Sequence, residues 1–154
     1  MDVNVINSVL GAFTEVLPQL GFQSVDKQGL ELCDCNVKND GVIINISVTG
    51  PLKGSILIGM KEEEAKQFAS KMMMGMPVAE LDTLAQSAIS EMGNMVCARS
   101  CINLSQAGVE GLDISPPLLL LGAGGMVKLA IAKIIKVKLM ADGIAVNVYI
   151  GLSA

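Results

Sequence analysis

The 154 residues contain no histidine and no tryptophan, and only one tyrosine and three phenylalanines. Without histidine there is no Ser-His or Cys-His nucleophilic machinery, no imidazole general base, and no use of the commonest protein metal ligand. Chemistry on this chain must run on carboxylates, amides, lysines or thiols, or on a metal brought by another molecule. The shortage of aromatic rings removes the stacking platforms that single-stranded nucleic acids require. A net charge of −4 and a pI near 4.7 oppose a phosphate-backbone ligand as well. No nucleic-acid partner is expected. Charged residues make up only 17% of the chain and apolar residues 51%, so it carries enough aliphatic surface to fold. The length suits one domain spanning 1–154.

The N-terminal stretch MDVNVINSVLG has neither the basic start nor the cleavage pattern of a secretory signal. The most apolar run, 114–127, is interrupted by Pro116-Pro117, Gly122, Gly124 and Gly125 and falls short of the ~20 residues of a spanning helix. A cytoplasmic chain with no membrane partner is therefore expected. In that compartment the four cysteines read as buried thiols. Cys33-x-Cys35 with Cys97 and Cys101 lacks the usual zinc spacings, and no metal is expected. Gly122-x-Gly124-Gly125 lacks the Lys-Ser/Thr of a phosphate loop and reads as a turn. Met72, Met73, Met74 and Met76 suit adaptable core packing or, alternatively, an apolar patch that grips a partner.

Hydrophobic periodicity predicts a helix over 2–20, disturbed by Pro18 and ended by Gly21. Strands follow at 30–37, 42–48 and 54–60. Asn39-Asp40-Gly41 reads as a hairpin turn and Gly50-Pro51 as a second turn, so these strands form an antiparallel meander. Acids at 62–64 favour the start of a helix over 61–74, and a longer helix spans 78–107. Four strand-like runs, 117–121, 126–131, 134–140 and 144–152, complete the chain, with Asp142-Gly143 turning between the last two. The expected fold is α/β of the α+β type, a mostly antiparallel sheet with long helices packed on it. Its two halves share a helix-then-strands rhythm compatible with internal duplication.

The segment 81–99, LDTLAQSAISEMGNMVCAR, carries the most specific pattern. Leu84, Ala88, Met92, Met95 and Val96 share one broad arc, expected to dock on the sheet. Ser87, Glu91 and Asn94 form a polar stripe within about 60° on its flank, and the small Ala98 continues it one turn further. Spacing alone is equally that of a solvated helix face.

Ser87-x3-Glu91-x2-Asn94, followed by twenty-two residues and Pro117, resembles the signature of the CheC/CheX/FliY family of chemotaxis phosphatases. The runs MMMGMPVAELDTLAQSAISEMGNM (72–95) and DISPP (113–117) and the amphipathic first helix strengthen the likeness, which is densest over 70–120. Within that family the likeness to CheX, a dimeric member with one active site, is the greater. The resemblance implies a CheC-like fold and hydrolysis of the phosphoaspartate of a CheY-like receiver domain. It implies no cofactor on this chain and a Mg²⁺ held by the receiver. Asn94 would orient the attacking water and Glu91 would pair with the receiver's active-site lysine. Ser87 would support the motif, through its own backbone turn or at the contact surface. Pro117 would fix the chain entering a strand, and Ala98 would let the partner approach. The first helix repeats the spacing as Ser8, Ala12 and Glu15, with the wrong residue at two positions, so a single site and a homodimer are expected. The competing reading is a non-catalytic adaptor or flagellar-switch-like module that binds a receiver without hydrolysing its phosphate.

Overall fold

In the computed structural model, which describes residues 3–154, the apolar spacing of the first segment winds into helix α1 (Val3–Val16). Val5, Ile6, Val9, Ala12, Phe13 and Val16 are its buried face. The predicted start at residue 2 lies outside the described residues. The α-helix stops before Pro18 and tightens into a 3-10 turn, Leu17–Leu20, which Gly21 closes at φ 101°. Then come β1 (Val25–Lys38), β2 (Gly41–Thr49), β3 (Lys53–Lys61), α2 (Glu62–Met72), α3 (Thr83–Gln106), β4 (Asp113–Ile114), β5 (Leu118–Leu121), β6 (Met126–Ala141) and β7 (Ile144–Ser153).

Among the described residues the seven strands form one sheet, antiparallel at every pairing, ordered β1-β6-β7-β3-β2, with β4 and β5 sharing the outer edge of β2. The fold class expected from the sequence is the one observed. Exchanging β1, β2 and β3 for β5, β6 and β7 reverses this order without changing it. The central β3–β7 pairing, with Leu57 opposite Tyr149, lies at the centre of that symmetry. α1 is followed by β1, β2 and β3, and α3 by the short β4 and then β5, β6 and β7, a near-repeat of one unit.

The expected meander is only half formed. β2 and β3 pair as a hairpin, but β1 pairs with β6, on the far side of the sheet from β2. Asn39-Asp40-Gly41 is therefore a bend between distant strands and not a hairpin turn. Buried Asn39 holds it: its side-chain amide donates to Leu120 O (3.1 Å) while its carbonyl oxygen Oδ1 accepts from Gly41 N (2.9 Å). Its backbone N–H donates to Gly125 O at 2.7 Å, and its backbone carbonyl accepts from Gly124 N at 2.9 Å. The glycine run 122–125 is the turn between β5 and β6, and the two bends brace each other. The runs predicted as separate strands at 126–131 and 134–140 belong to one strand, β6, with a register shift opposite Asp34/Asn36.

One face of the sheet, with Ile44, Ile46, Ile56, Ile58, Val148 and Ile150, packs under the three helices to form the main core. On the other face Val37, Ile43, Leu57, Leu129, Ile134 and Tyr149 make a second, smaller cluster. Alternation along the central strands supplies both. The methionine run splits between its two expected uses: Met72 and Met73 pack against the core, whereas Met74 is 96% exposed.

Candidate active site on helix α3

Asp82 starts α3. Its backbone is extended and its carboxylate accepts from Ala85 N at 2.9 Å, satisfying one of the free N–H groups of the first turn. The helix thus begins five residues later than the predicted 78. Its buried residues are Ala85, Ile89, Met92, Gly93, Val96, Cys97, Ser100 and Leu104. The docking face is therefore turned by roughly a quarter of the circumference from the expected arc. Leu84, placed in that arc from sequence, is 61% exposed. Small residues decide the orientation: at Gly93 the helix backbone lies against the sheet, and a β-carbon there would stand 2.9 Å from Ile44 Cγ2.

With the buried side so placed, the stripe faces outward. Ser87, Glu91 and Ala98 are exposed and Asn94 is partly exposed. Neither Glu91 nor Asn94 makes a side-chain hydrogen bond or ion pair among the described residues. Ser87 likewise forms no bond to its own helical turn there, contrary to one of its two expected roles. Ser87, Glu91 and Asn94 line one wall of an open groove of about 540 Å³, joined by Ser90, which stands off the stripe. Ser90 lies one position before Glu91, about 100° around the helix.

The opposite wall is the broken edge of the sheet. β4 and β5 both pair with β2, and Pro116-Pro117 separates them, because proline has no N–H to give to the ladder. Ser115 bridges the break, its backbone N–H donating to Ser47 O and its hydroxyl accepting from Ser47 N, both at 2.9 Å. Pro117 immediately precedes β5, and with Pro116 it also lines the groove. The motif's four positions, separated by twenty-two residues in the chain, therefore meet across one cleft.

On α1 the matching positions are otherwise occupied. The Ser8 hydroxyl donates to Asn4 O at 2.7 Å, and Ala12 is fully buried. Glu15 is ion-paired with Arg99, and the Asn103 amide donates to Glu15 Oε1 (3.1 Å) and Ser8 O (3.0 Å). This clasp ties α1 to α3 and engages Glu15 within the chain.

Burial favours the protonated thiol at three of the four cysteines. Burial pushes Cys97 up to about 12, and burial followed by nearby Asp113 raises Cys101. Burial also raises Cys33, whose thiol and that of Cys35 pack against the second core. Among the described residues no group of three or more Cys, Asp or Glu is placed to hold a metal ion, and no helix is long and apolar enough to cross a membrane.

The family model for chemotaxis phosphatase CheX matches residues 42–137, a stretch that contains the whole groove. The chain belongs to the CheX family. A CheY-P phosphatase CheX of Thermotoga maritima is 31% identical over 123 residues, covering 79% of this chain and 78% of that one. Solved structures of CheX-family likeness share the fold across the whole length. A CheC-like superfamily protein from a Shewanella species has a TM-score of 0.86 at 22% identity, with all of both chains covered. A CheX–CheY–BeF₃–Mg²⁺ complex from Borrelia burgdorferi has a TM-score of 0.79 at 22% identity, covering 99% of this chain and 100% of that one.

Proposed function

We propose that this protein is a phosphatase that hydrolyses the phosphoaspartate of a CheY-like receiver domain, with Asn94 and Glu91 as its working side chains. The observation that carries the reading is the outward-facing Glu91/Asn94 pair, unpartnered among the described residues and set in a groove that Pro117 also lines. Such an arrangement suits a helix that completes another protein's active site. The Thermotoga relative is a CheY-P phosphatase, and the Borrelia relative is found in complex with CheY.

Phosphoryl transfer demands positioning and charge stabilisation more than covalent help, which a histidine-free site can supply. A carboxamide both accepts from and donates to water. Asn94 holds a water in line with the phosphorus; the water oxygen bonds to phosphorus as the bond to the aspartyl oxygen breaks. Inorganic phosphate leaves and the receiver's carboxylate is regenerated. Glu91 pairs with the receiver's lysine and fixes the register of the two surfaces. Among the described residues Glu91 is the only carboxylate lining the groove, and it is committed to that contact, so the Mg²⁺ of the reaction belongs to the receiver's own acidic site. Ala98 leaves room for the partner's approach along the ridge.

The protein acts in the cytoplasm as a homodimer. β1, a 14-residue edge strand with Leu30 and Leu32 exposed, offers an unpaired ladder to a second copy, and sedimentation analysis reads that state directly. The function itself is tested by adding the protein to phosphorylated CheY-like receivers in Mg²⁺ and following phosphate release. Accelerated decay that Asn94→Ala abolishes supports the reading. Binding of a receiver with its decay rate unchanged would make the protein an adaptor instead.

A further inference from the structure

The polar stripe on α3 does not end at Ser87 and Ala98. One turn before Ser87 stands Leu84, 61% exposed, and one turn beyond Ala98 stands Ile102, 48% exposed. At 100° per residue both lie within about 20° of the direction of Glu91. They occupy the crest of the helix directly opposite its buried side, where a helix of this kind ordinarily carries charged or polar residues. Neither packs into either core cluster. Scattered exposed leucines need no explanation, but these two bracket the candidate catalytic residues on a single line. The distance between them along the helix axis is about 27 Å, 18 residues at 1.5 Å each. A globular domain of roughly 100 residues has a radius of gyration near 13 Å, so the line is of the same order as one face of such a domain.

We propose that Leu84 and Ile102 are apolar anchors that seat the receiver domain on α3, one at each end of the Glu91/Asn94 site, and that they set the affinity for the phosphorylated receiver without taking part in hydrolysis. This rests on the phosphatase reading, because the occupant it names is the same receiver. The occupant follows from continuity: any domain close enough to present a phosphoaspartate to Asn94 lies over the same helix crest. The division of labour follows from the energetics of contacts. An exposed carboxylate such as Glu91 steers encounter and fixes register more than it tightens a complex. Affinity in such interfaces comes from a few desolvated apolar or aromatic side chains. Apart from Ile114 the groove is lined by serines, prolines and the two working residues, and the crest of α3 carries an exposed apolar side chain on either side of them.

The test is steady-state phosphate release from a CheY-like receiver charged with a small-molecule phosphodonor in Mg²⁺, using the full chain. Leu84→Ser and Ile102→Ser are each expected to raise KM about tenfold, and the double variant about a hundredfold, with kcat unchanged. Leu84→Met should restore most of the affinity, since it returns apolar surface without the original shape. Circular dichroism and thermal melting should match the parent, both positions being exposed. Normal KM for the double variant with active parent protein would overturn the inference while leaving the phosphatase reading intact. A fall in kcat at unchanged KM would overturn it too, by placing these residues in the chemical step. A change in the protein's own oligomeric state, with receiver kinetics preserved, would assign the ridge to a second copy of the chain and again overturn it. Failure of the parent protein to accelerate any receiver's decay would remove the phosphatase reading and this inference together.

Discussion

Gly93 and Ile44 meet so closely that a β-carbon on the glycine would lie 2.9 Å from Ile44 Cγ2, with Ile44 Cδ1 at 3.4 Å. Ile44 is fully buried and β-branched, on the central part of β2, and has little freedom to move aside. Asn94 is the next residue, so the depth at which α3 rides on the sheet also sets the height of the working amide. Gly93→Ala should gain about 1 kcal/mol of helix propensity and lose ~1–3 kcal/mol to overpacking. The expected net is a loss of up to about 2 kcal/mol in urea unfolding, together with a fall in phosphatase turnover larger than the stability change explains. A variant more stable than the parent and fully active would show that the contact imposes nothing on the site.

That contact also shows where the sequence was legible and where it was not. The outward stripe of Ser87, Glu91 and Asn94 is a matter of local spacing, and spacing survives folding. Large apolar side chains do not by themselves mark the face of α3 that docks. Leu84 is apolar yet exposed, whereas Gly93 and Ser100 are buried because the helix approaches the sheet closely there. The Ser100 hydroxyl is satisfied by Val96 O at 2.8 Å, so its burial leaves no unpaired group. The helix–strand succession and the antiparallel class were readable from periodicity and turns. The pairing of β1 with β6 was not, since its partners lie about a hundred residues apart and no local pattern encodes that choice. Asn39-Asp40-Gly41 has hairpin composition, but its amide bonds to Leu120, a partner invisible to any short window.

Asn39 should accordingly be a stability residue and not a neutral loop position. Asn39→Ala removes the donor to Leu120 O and leaves Gly41 N–H without Oδ1 in a buried bend. Each loss of this kind costs ~1–3 kcal/mol, so a downward shift of at least 1 kcal/mol is expected in denaturant unfolding. Because β5 is held through this bend and Pro117 enters β5, turnover should also fall modestly. Asp40→Ala, at an exposed neighbour that makes none of these bonds, serves as the control and should unfold like the parent.

Asp142 gives the fold a defined response to acid. It sits at φ 50° in the β6–β7 turn, where Asp and Asn are tolerated. One carboxylate oxygen is 2.8 Å from Lys71 Nζ and the other accepts from Ser24 N at 2.8 Å, and Gln23 N also donates. The Lys71 hydrogen bond, followed by the backbone donors, lowers its carboxyl from an ordinary 3.8 to about 2. A depressed pKa means that the unfolded chain takes up the proton first as pH falls. The stabilisation is complete above pH ~4 and is lost as pH drops through about 2. Asp142→Asn keeps the shape and the tolerance of positive φ but cannot titrate. It should be less stable than the parent at pH 7, and the gap in thermal midpoint should close between pH 4 and 2. A gap that stayed constant over that window would mean that the carboxylate's charge is not what the turn uses.

The two working residues should fail in different ways. Glu91 is exposed and unpaired among the described residues, and its proposed task is to meet a lysine on the receiver. Removing a charge of that kind changes encounter and its sensitivity to salt. Glu91→Gln should therefore lower kcat/KM mainly through KM, by roughly tenfold at low ionic strength, with a smaller deficit at high salt where the charge is screened in the parent as well. Asn94 is proposed to act on the water that attacks phosphorus, an interaction realised in the transition state. Asn94→Ala should lower kcat by ~10²-fold or more at nearly constant KM, the scale set by loss of one positioning or polar transition-state contact. Both side chains lie away from the core, so both variants should unfold within about 0.5 kcal/mol of the parent. If the two substitutions changed the same parameter with the same salt dependence, the division between docking carboxylate and water-orienting amide would be wrong, and a single shared role at the contact surface would take its place.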